Sequence, residues 1–213
     1  MARLEACLVD AFDTILTCDF SVLRRELPTL AGLPLDSWND DYNRLSPLLG
    51  DGRMSKATAF GEILRARGRE PRPELVREMV RVDQELLIAN TRLFDDTIPF
   101  LSRLRAHGVK IAIVSNCTEN TRPLLASLGV DALADALVLS CEVGAAKPAA
   151  PIFRYALGRL GVTADATVFV DDQAGFCAGS EAVGISAVQI VRSGSDGRAG
   201  VRSLREVEAL IRA

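Results

Sequence analysis

Five short apolar runs organise this chain: Ala6 to Ala11, Lys110 to Val114, Ala136 to Ser140, Thr167 to Val170 and Ala187 to Val191. Each is shorter than a typical helix, and each fits a strand buried on both faces. From Lys110 onward the runs alternate with helical periods. Asp96 to His107 closes at Gly108, Thr121 to Leu128 carries an early Pro123 and closes at Gly129, and Ala150 to Leu160 closes at Gly161. Glycine just past a periodic run is a helix stop, and proline in the first turn suits a helix start. The alternation predicts an α/β fold, a doubly wound parallel sheet of Rossmann-like type.

Residues 17–92 break the alternation, because they contain helical periods and no convincing strand pattern. Leu75, Met79, Val82 and Leu86 form one apolar stripe on a helix that begins after Pro73. Ser55 is placed to cap Lys56 to Arg67, which ends at Gly68. A small all-helical cap inserted directly after the first strand is therefore expected over the carboxyl edge of the sheet. The corresponding division is 1–16 and 93–213 for the α/β core and 17–92 for the cap, with hinges at Thr17 to Phe20 and Arg92 to Thr97.

With 213 residues, 48% hydrophobic and 25% charged, the chain can bury one sizeable core and a smaller second unit. A net charge of -3 offers no attraction for nucleic acid. No apolar run reaches the roughly 18 to 20 residues of a transmembrane helix. The five cysteines, Cys7, Cys18, Cys117, Cys141 and Cys177, are odd in number, lie mostly within apolar runs and lack the CxxC spacing of metal sites. With no secretory leader in view, the expected setting is a reducing cytosol, that is, a cytoplasmic protein. His107, the single histidine, sits at a helix end beside Gly108, where it suits the helix dipole. It gives no support to a Ser-His or Cys-His mechanism or to a zinc site.

Chemistry is concentrated at strand ends. Asp10 closes the first run and Thr14 follows; Ser115 and Asn116 close the second; Lys147 and Pro148 follow the third; Asp171 and Asp172 close the fourth. Each has a plainer reading as a cap, a turn residue or a solvated cation. Strand ends are where open α/β sheets bind ligands, so together these residues are expected at one site. A phosphate ester repels a nucleophile of its own sign, so an attacking carboxylate needs cations and fixed donors around the phosphoryl group. Lys147 can neutralise charge, Ser115 can donate a hydrogen bond, and a divalent ion held by Asp10 and Asp172 can offset the rest. Asp171 reads equally as a partner that orients Lys147 or its loop.

In this order, on alternating strands and helices, the four motifs resemble the haloacid dehalogenase-like hydrolase superfamily, in the branch whose helical cap lies between the first and second motifs. The resemblance runs from Leu4 to the last strand near Val191. It implies that Asp10 is the nucleophile, that Thr14, Ser115 and Asn116 bind the substrate, and that Lys147 neutralises charge. It also implies Mg2+ held by Asp10, Asp172 and the backbone carbonyl of Phe12. The implied activity is a magnesium-dependent phosphatase acting on a small anionic metabolite through an aspartyl-phosphate. Neither nucleic acid nor membrane is an expected partner, and the chain is expected as a monomer or homodimer.

Three positions depart from that pattern. Phe12 stands where phosphatases that resemble this chain carry a second Asp, whose acid-base help is worth roughly 10²- to 10⁴-fold. Asp13, in a place usually held by Gly, is the nearest substitute, but in an extended segment it would point away. Phe176 and Cys177 occupy the position of a residue that commonly supports the metal. The expected phosphatase is therefore slow or confined to acidic leaving groups. Two alternatives stay open: a 2-haloacid dehalogenase, which tolerates an aromatic residue at the second position, and a weakened relative that binds without turnover. The acidic pair Asp171-Asp172 favours the phosphatase. Arg44, Arg53 and Lys56 are candidates for holding an anionic substrate tail.

Overall fold

The computed structural model describes residues 4–192 and 200–212. Residues 1–3, 193–199 and 213 of the expected α/β division lie outside the described residues. The chain runs through β1 (Ala6–Val9), β2 (Leu16–Cys18), α1 (Phe20–Ala31), α2 (Leu35–Gly50), α3 (Lys56–Ala66), α4 (Pro73–Ala89) and β3 (Thr91–Leu93). It continues through α5 (Thr97–Ala106), β4 (Lys110–Ser115), α6 (Thr121–Ser127), β5 (Ala136–Leu139), the single turn α7 (Ser140–Val143) and α8 (Ala150–Leu160). The last elements are β6 (Thr167–Asp171), α9 (Ala174–Glu181), β7 (Ser186–Gln189) and α10 (Leu204–Arg212).

Strands β5, β4, β1, β6 and β7 form one sheet in that spatial order, parallel at every pairing. Each of the five apolar runs carries one of these strands. Alternate residues feed opposite cores: Cys7, Val9, Ile111, Ile113, Val168 and Val170 pack toward α5, α6 and α10, whereas Leu8, Ala112, Val114 and Phe169 pack toward α8. Burial on both faces is why the runs are continuously apolar. The chain leaves β1 toward β4 and later returns to its other side at β6. That reversal opens a crevice at the carboxyl end of β1, the usual ligand position in such a sheet.

Helices α1 to α4 enclose a core of their own around Leu27, Trp38, Leu45, Leu49, Phe60, Ile63, Leu64 and Met79. The Ser55 side chain accepts from the Thr58 amide at the start of α3, as its position predicts. Two details differ from the expectation. The segments entering and leaving the helices pair as an antiparallel ribbon, Leu16 opposite Leu93 and Cys18 opposite Thr91; three-residue strands are too short to produce a readable period. The most buried residues of α4 are Met79, Asp83 and Leu87, not Leu75, Val82 and Leu86. The inward stripe therefore includes a carboxylate, which a hydrophobic pattern passes over. At the contact with the α/β unit, Gly52 has a left-handed φ of 76°, and a Cβ there would lie 1.9 Å from the Cys141 carbonyl oxygen. Only glycine fits. Among the described residues no helix is long and apolar enough to cross a membrane.

Candidate active site

Asp10 directly follows β1, and its amide donates to the Val170 carbonyl, so β6 fixes where the carboxylate emerges. The chain then turns sharply. Asp13 adopts a left-handed φ of 55°, its amide donates to Leu16, and the amides of Ile15 and Leu16 both return to the Ala11 carbonyl. This corrects the picture of Asp13 on an extended segment. The position needs a conformation that Gly adopts freely and that Asp tolerates better than most residues. Asp13 is exposed, yet its charge reaches Asp172.

Lys147 is the centre of the polar cluster. Its Nζ donates to Asp10 Oδ1 at 2.5 Å and to Asp171 Oδ2 at 2.7 Å, and all three residues are buried. Burial works against the Lys147 ammonium, but Asp10 and Asp171 outweigh it and hold its pKa above the ordinary lysine value. Burial pushes the Asp10 carboxyl up to about 6, opposed by Lys147 and reinforced by Asp171. Asp171 is also raised, again chiefly by burial, with Lys147 opposing. One cation is shared by two buried acids, so each acid is harder to ionise than it would be alone. Asp171 is fully engaged, since its Oδ1 accepts from the Gln173 amide at 2.8 Å.

Two supports of Lys147 were not legible in the sequence. Asn116, expected on the substrate, uses its side-chain amide on the Lys147 backbone, donating to the carbonyl and accepting from the amide, both at 2.8 Å. Phe176, expected as a lost metal support, places its ring 5.1 Å from Nζ, with Phe169 at 5.4 Å. Such ring faces are attractive to a desolvated ammonium. Gly179 lets α9 approach, because a Cβ there would meet the Pro148 carbonyl oxygen at 2.5 Å.

Thr14 and Ser115 are fully buried or nearly so, and their hydroxyls are the two buried side-chain polar atoms among the described residues with no hydrogen-bond partner. Each such group costs about 1 to 3 kcal/mol unless something accepts from it. Asp10, Asp171 and Asp172 bring carboxylate oxygens within 4.8 Å of one another. Asp172 forms no ion pair among the described residues, and its carboxyl is raised by burial and then by Asp10 and Asp13. Three carboxylates thus gather near a single ammonium. That excess of hard oxygen donors fits a divalent cation such as Mg2+. No hydrogen bond from the described residues reaches the Phe12 carbonyl, which leaves it available as a further ligand.

Arg192 gives no sequence signal, because it follows the last strand without any motif. Its guanidinium donates from Nε and Nη2 to the Thr14 carbonyl, at 3.0 and 2.7 Å, and pairs with both oxygens of Asp96 at 2.8 Å. The loop that carries Thr14 is therefore held from behind.

A cavity of about 400 Å³ lies between α1 to α4 and the β4–α6 loop. Phe12 and Asn116 stand in its wall, two residues after Asp10 and one after Ser115. Inside it Lys56 Nζ donates to Asp83 Oδ1 at 2.9 Å and to Tyr42 Oη at 3.2 Å, while Asn120 Nδ2 donates to Asp83 Oδ2 at 2.7 Å. Burial opposes the Lys56 charge, but Tyr42 and Asp83 outweigh it and raise its pKa. Of the three cations expected to hold an anionic tail, Arg44 is paired with Asp41 and Arg53 with Asp51, both exposed, and only Lys56 lines the cavity.

Comparison with known proteins agrees with this geometry. Residues 4–175 match the haloacid dehalogenase-like hydrolase family. A glyceraldehyde 3-phosphate phosphatase of Methanopyrus kandleri is 31% identical over 145 residues, which is 67% of this chain and 62% of that protein; the match thus spans about three fifths of the relative's length. An (S)-2-haloacid dehalogenase of Burkholderia cepacia is 26% identical over 90% of this chain and 85% of its own. Among solved structures, a phosphatase from Thermococcus onnurineus superposes with a TM-score of 0.68 at 27% identity, covering 97% of both chains. With its parallel sheet, its strand-end carboxylates and a match over most of its length, the chain belongs to the haloacid dehalogenase-like hydrolase family.

Proposed function

We propose that the protein is a magnesium-dependent phosphatase of a small phosphorylated molecule, working through an aspartyl-phosphate on Asp10, with α1 to α4 as its cap in the division 17–92. The observation that carries this reading is the pair of unpartnered buried hydroxyls, Thr14 from the β1 loop and Ser115 from the end of β4. A phosphoryl group supplies the acceptor oxygens that both lack. The Asp10 carboxylate attacks phosphorus, an O–P bond forms, and the ester bond breaks with its electron pair on the leaving oxygen. Thr14 and Ser115 donate to the phosphoryl oxygens, and Lys147 offsets charge at Asp10. Water then attacks the aspartyl-phosphate, releasing inorganic phosphate and the free carboxylate. Asp10, Asp172 and the Phe12 carbonyl would hold Mg2+, which when bound supplies neutralising charge to the phosphoryl group.

Phe12 favours a second reading, hydrolysis of a 2-haloacid, because halide leaves without a proton. Asp172 weighs against it, since a carboxylate with two negative neighbours and no ion pair calls for a cation. Phosphate release from a panel of phosphomonoesters is expected to stop in EDTA and return with Mg2+. Halide release from 2-haloacids that persists in EDTA would establish the dehalogenase instead.

Arg192→Ala is expected to raise KM for the ester about 10-fold, within the roughly 10- to 100-fold range for residues that orient a binding group, with a smaller change in kcat. Arg192→Lys should recover part of the loss. An unchanged KM in a variant that melts lower would reduce Arg192 to a structural brace.

A further inference from the structure

The identity of the leaving group is written in the cavity beside Phe12. We propose that the site accepts the monophosphate ester of an uncharged aromatic alcohol, so that the group expelled is a phenolate; this rests on the phosphatase reading above. Three observations converge on it.

Proton demand is the first. The wall nearest the strand ends is formed by Phe12, Asn116, Cys117 and Thr118, which carry no carboxyl or imidazole. An alkyl leaving group departs as an alkoxide with a basicity near that of hydroxide, pKa about 16, and stalls without a donor. A phenolate, with a pKa near 10 as in tyrosine, leaves unaided and takes its proton afterwards from water.

Shape is the second. The rings of Phe12 and Phe20 lie 5.5 Å apart, tilted at 42°, and Leu23, Leu27 and Trp38 extend the same apolar wall. Phe20 lines the cavity and is 39% exposed. A dry cavity of about 150 Å³ suffices for benzene, so the 400 Å³ here holds a substituted ring.

Charge is the third. Lys56 and Asp83 are 3% and 2% exposed and cancel each other across 2.9 Å. The buried part of the cavity thus offers an incoming tail no unpaired charge, while the Tyr42 and Asn120 polar groups offer hydrogen bonds to a neutral one. Arg24, exposed and without an ion pair among the described residues, also lines the cavity, and it is the cation whose pull on a charged tail the 4-carboxyphenyl ester tests.

The test uses the magnesium-loaded protein with phenyl, benzyl, n-butyl and 4-carboxyphenyl phosphates. Benzyl phosphate separates the two causes, since it has the ring but an alkoxide leaving group. Wild type is expected to favour phenyl over n-butyl by at least about 10²-fold in kcat/KM, the lower end of general acid-base assistance. Benzyl should match phenyl in KM and n-butyl in kcat. Phe12→Asp should raise the alkyl and benzyl rates by roughly 10²- to 10⁴-fold and phenyl far less. Phe20→Ala should raise KM for both ring esters by more than it does for n-butyl. Equal wild-type rates for phenyl and n-butyl overturn the proposal. So does a preference for 4-carboxyphenyl over phenyl that Arg24→Ala abolishes. If neither wild type nor Phe12→Asp releases phosphate from any ester beyond the Asp10→Asn background, the phosphatase reading itself falls, and this inference with it.

Discussion

Asp10→Asn should lower turnover by roughly 10⁴- to 10⁶-fold, the loss seen when one member of a covalent catalytic unit is removed, and it should do so without unfolding the protein. The amide is nearly isosteric but cannot attack phosphorus or balance Lys147. Stability moves the other way. Burial has raised the Asp10 carboxyl to about 6, so the folded state favours its protonated form. A group raised on folding stabilises below its unfolded pKa, and that contribution is lost as the pH climbs through about 6. Asn carries no such charge, and Lys147 keeps Asp171 as a partner. In EDTA at pH 8 the variant should melt at or above the wild-type temperature. Residual phosphate release near the wild-type rate would sink the nucleophile assignment, and a large fall in Tm would recast Asp10 as structural.

Lys147→Ala is the harsher change, because it damages function and fold together. Removing the ammonium strands Asp10 and Asp171, both buried, with no cation between them. Breaking one side of a buried pair costs about 3 to 5 kcal/mol, which in a chain of this size lowers Tm by roughly 6 to 20 °C. Activity should fall by at least about 10²- to 10³-fold, the effect of losing one fixed electrostatic contact to developing charge. Adding Asp171→Asn should restore part of the Tm and none of the activity. Equal melting of Lys147→Ala and wild type would show that the charges are hydrated, contrary to the burial described above. Recovery of activity in the double variant would remove Lys147 from the chemistry.

Much of the site was readable because its residues stand at strand ends. A carboxylate that follows four buried apolar residues has few places to be except the sheet edge, and four such ends in order fix one locus. Asp10, Ser115, Lys147, Asp171 and Asp172 were named on that basis, and Lys147 does bridge Asp10 and Asp171. Asn116 illustrates the limit. The sequence puts it at a strand end, but the partner of its amide, the backbone of residue 147, lies 31 residues away in the chain. Nothing local to Phe176 signals that its ring lies against the Lys147 ammonium.

By itself the sequence determined the five strands of the parallel sheet, their alternation with helices from Lys110 onward, and a helical stretch between the first two of them, while the short β2–β3 ribbon left no readable period. Those follow from local period and from glycine and proline punctuation, which neighbouring residues impose on one another. Tertiary structure alone decided which polar side chains are paired and which are left wanting. Asp83 faces inward to neutralise Lys56, Arg192 reaches back 178 residues to hold the Thr14 carbonyl, and the Thr14 and Ser115 hydroxyls have no partner. Desolvation and charge pairing are set by what packs around a group after the chain has closed on itself, and no local pattern encodes them.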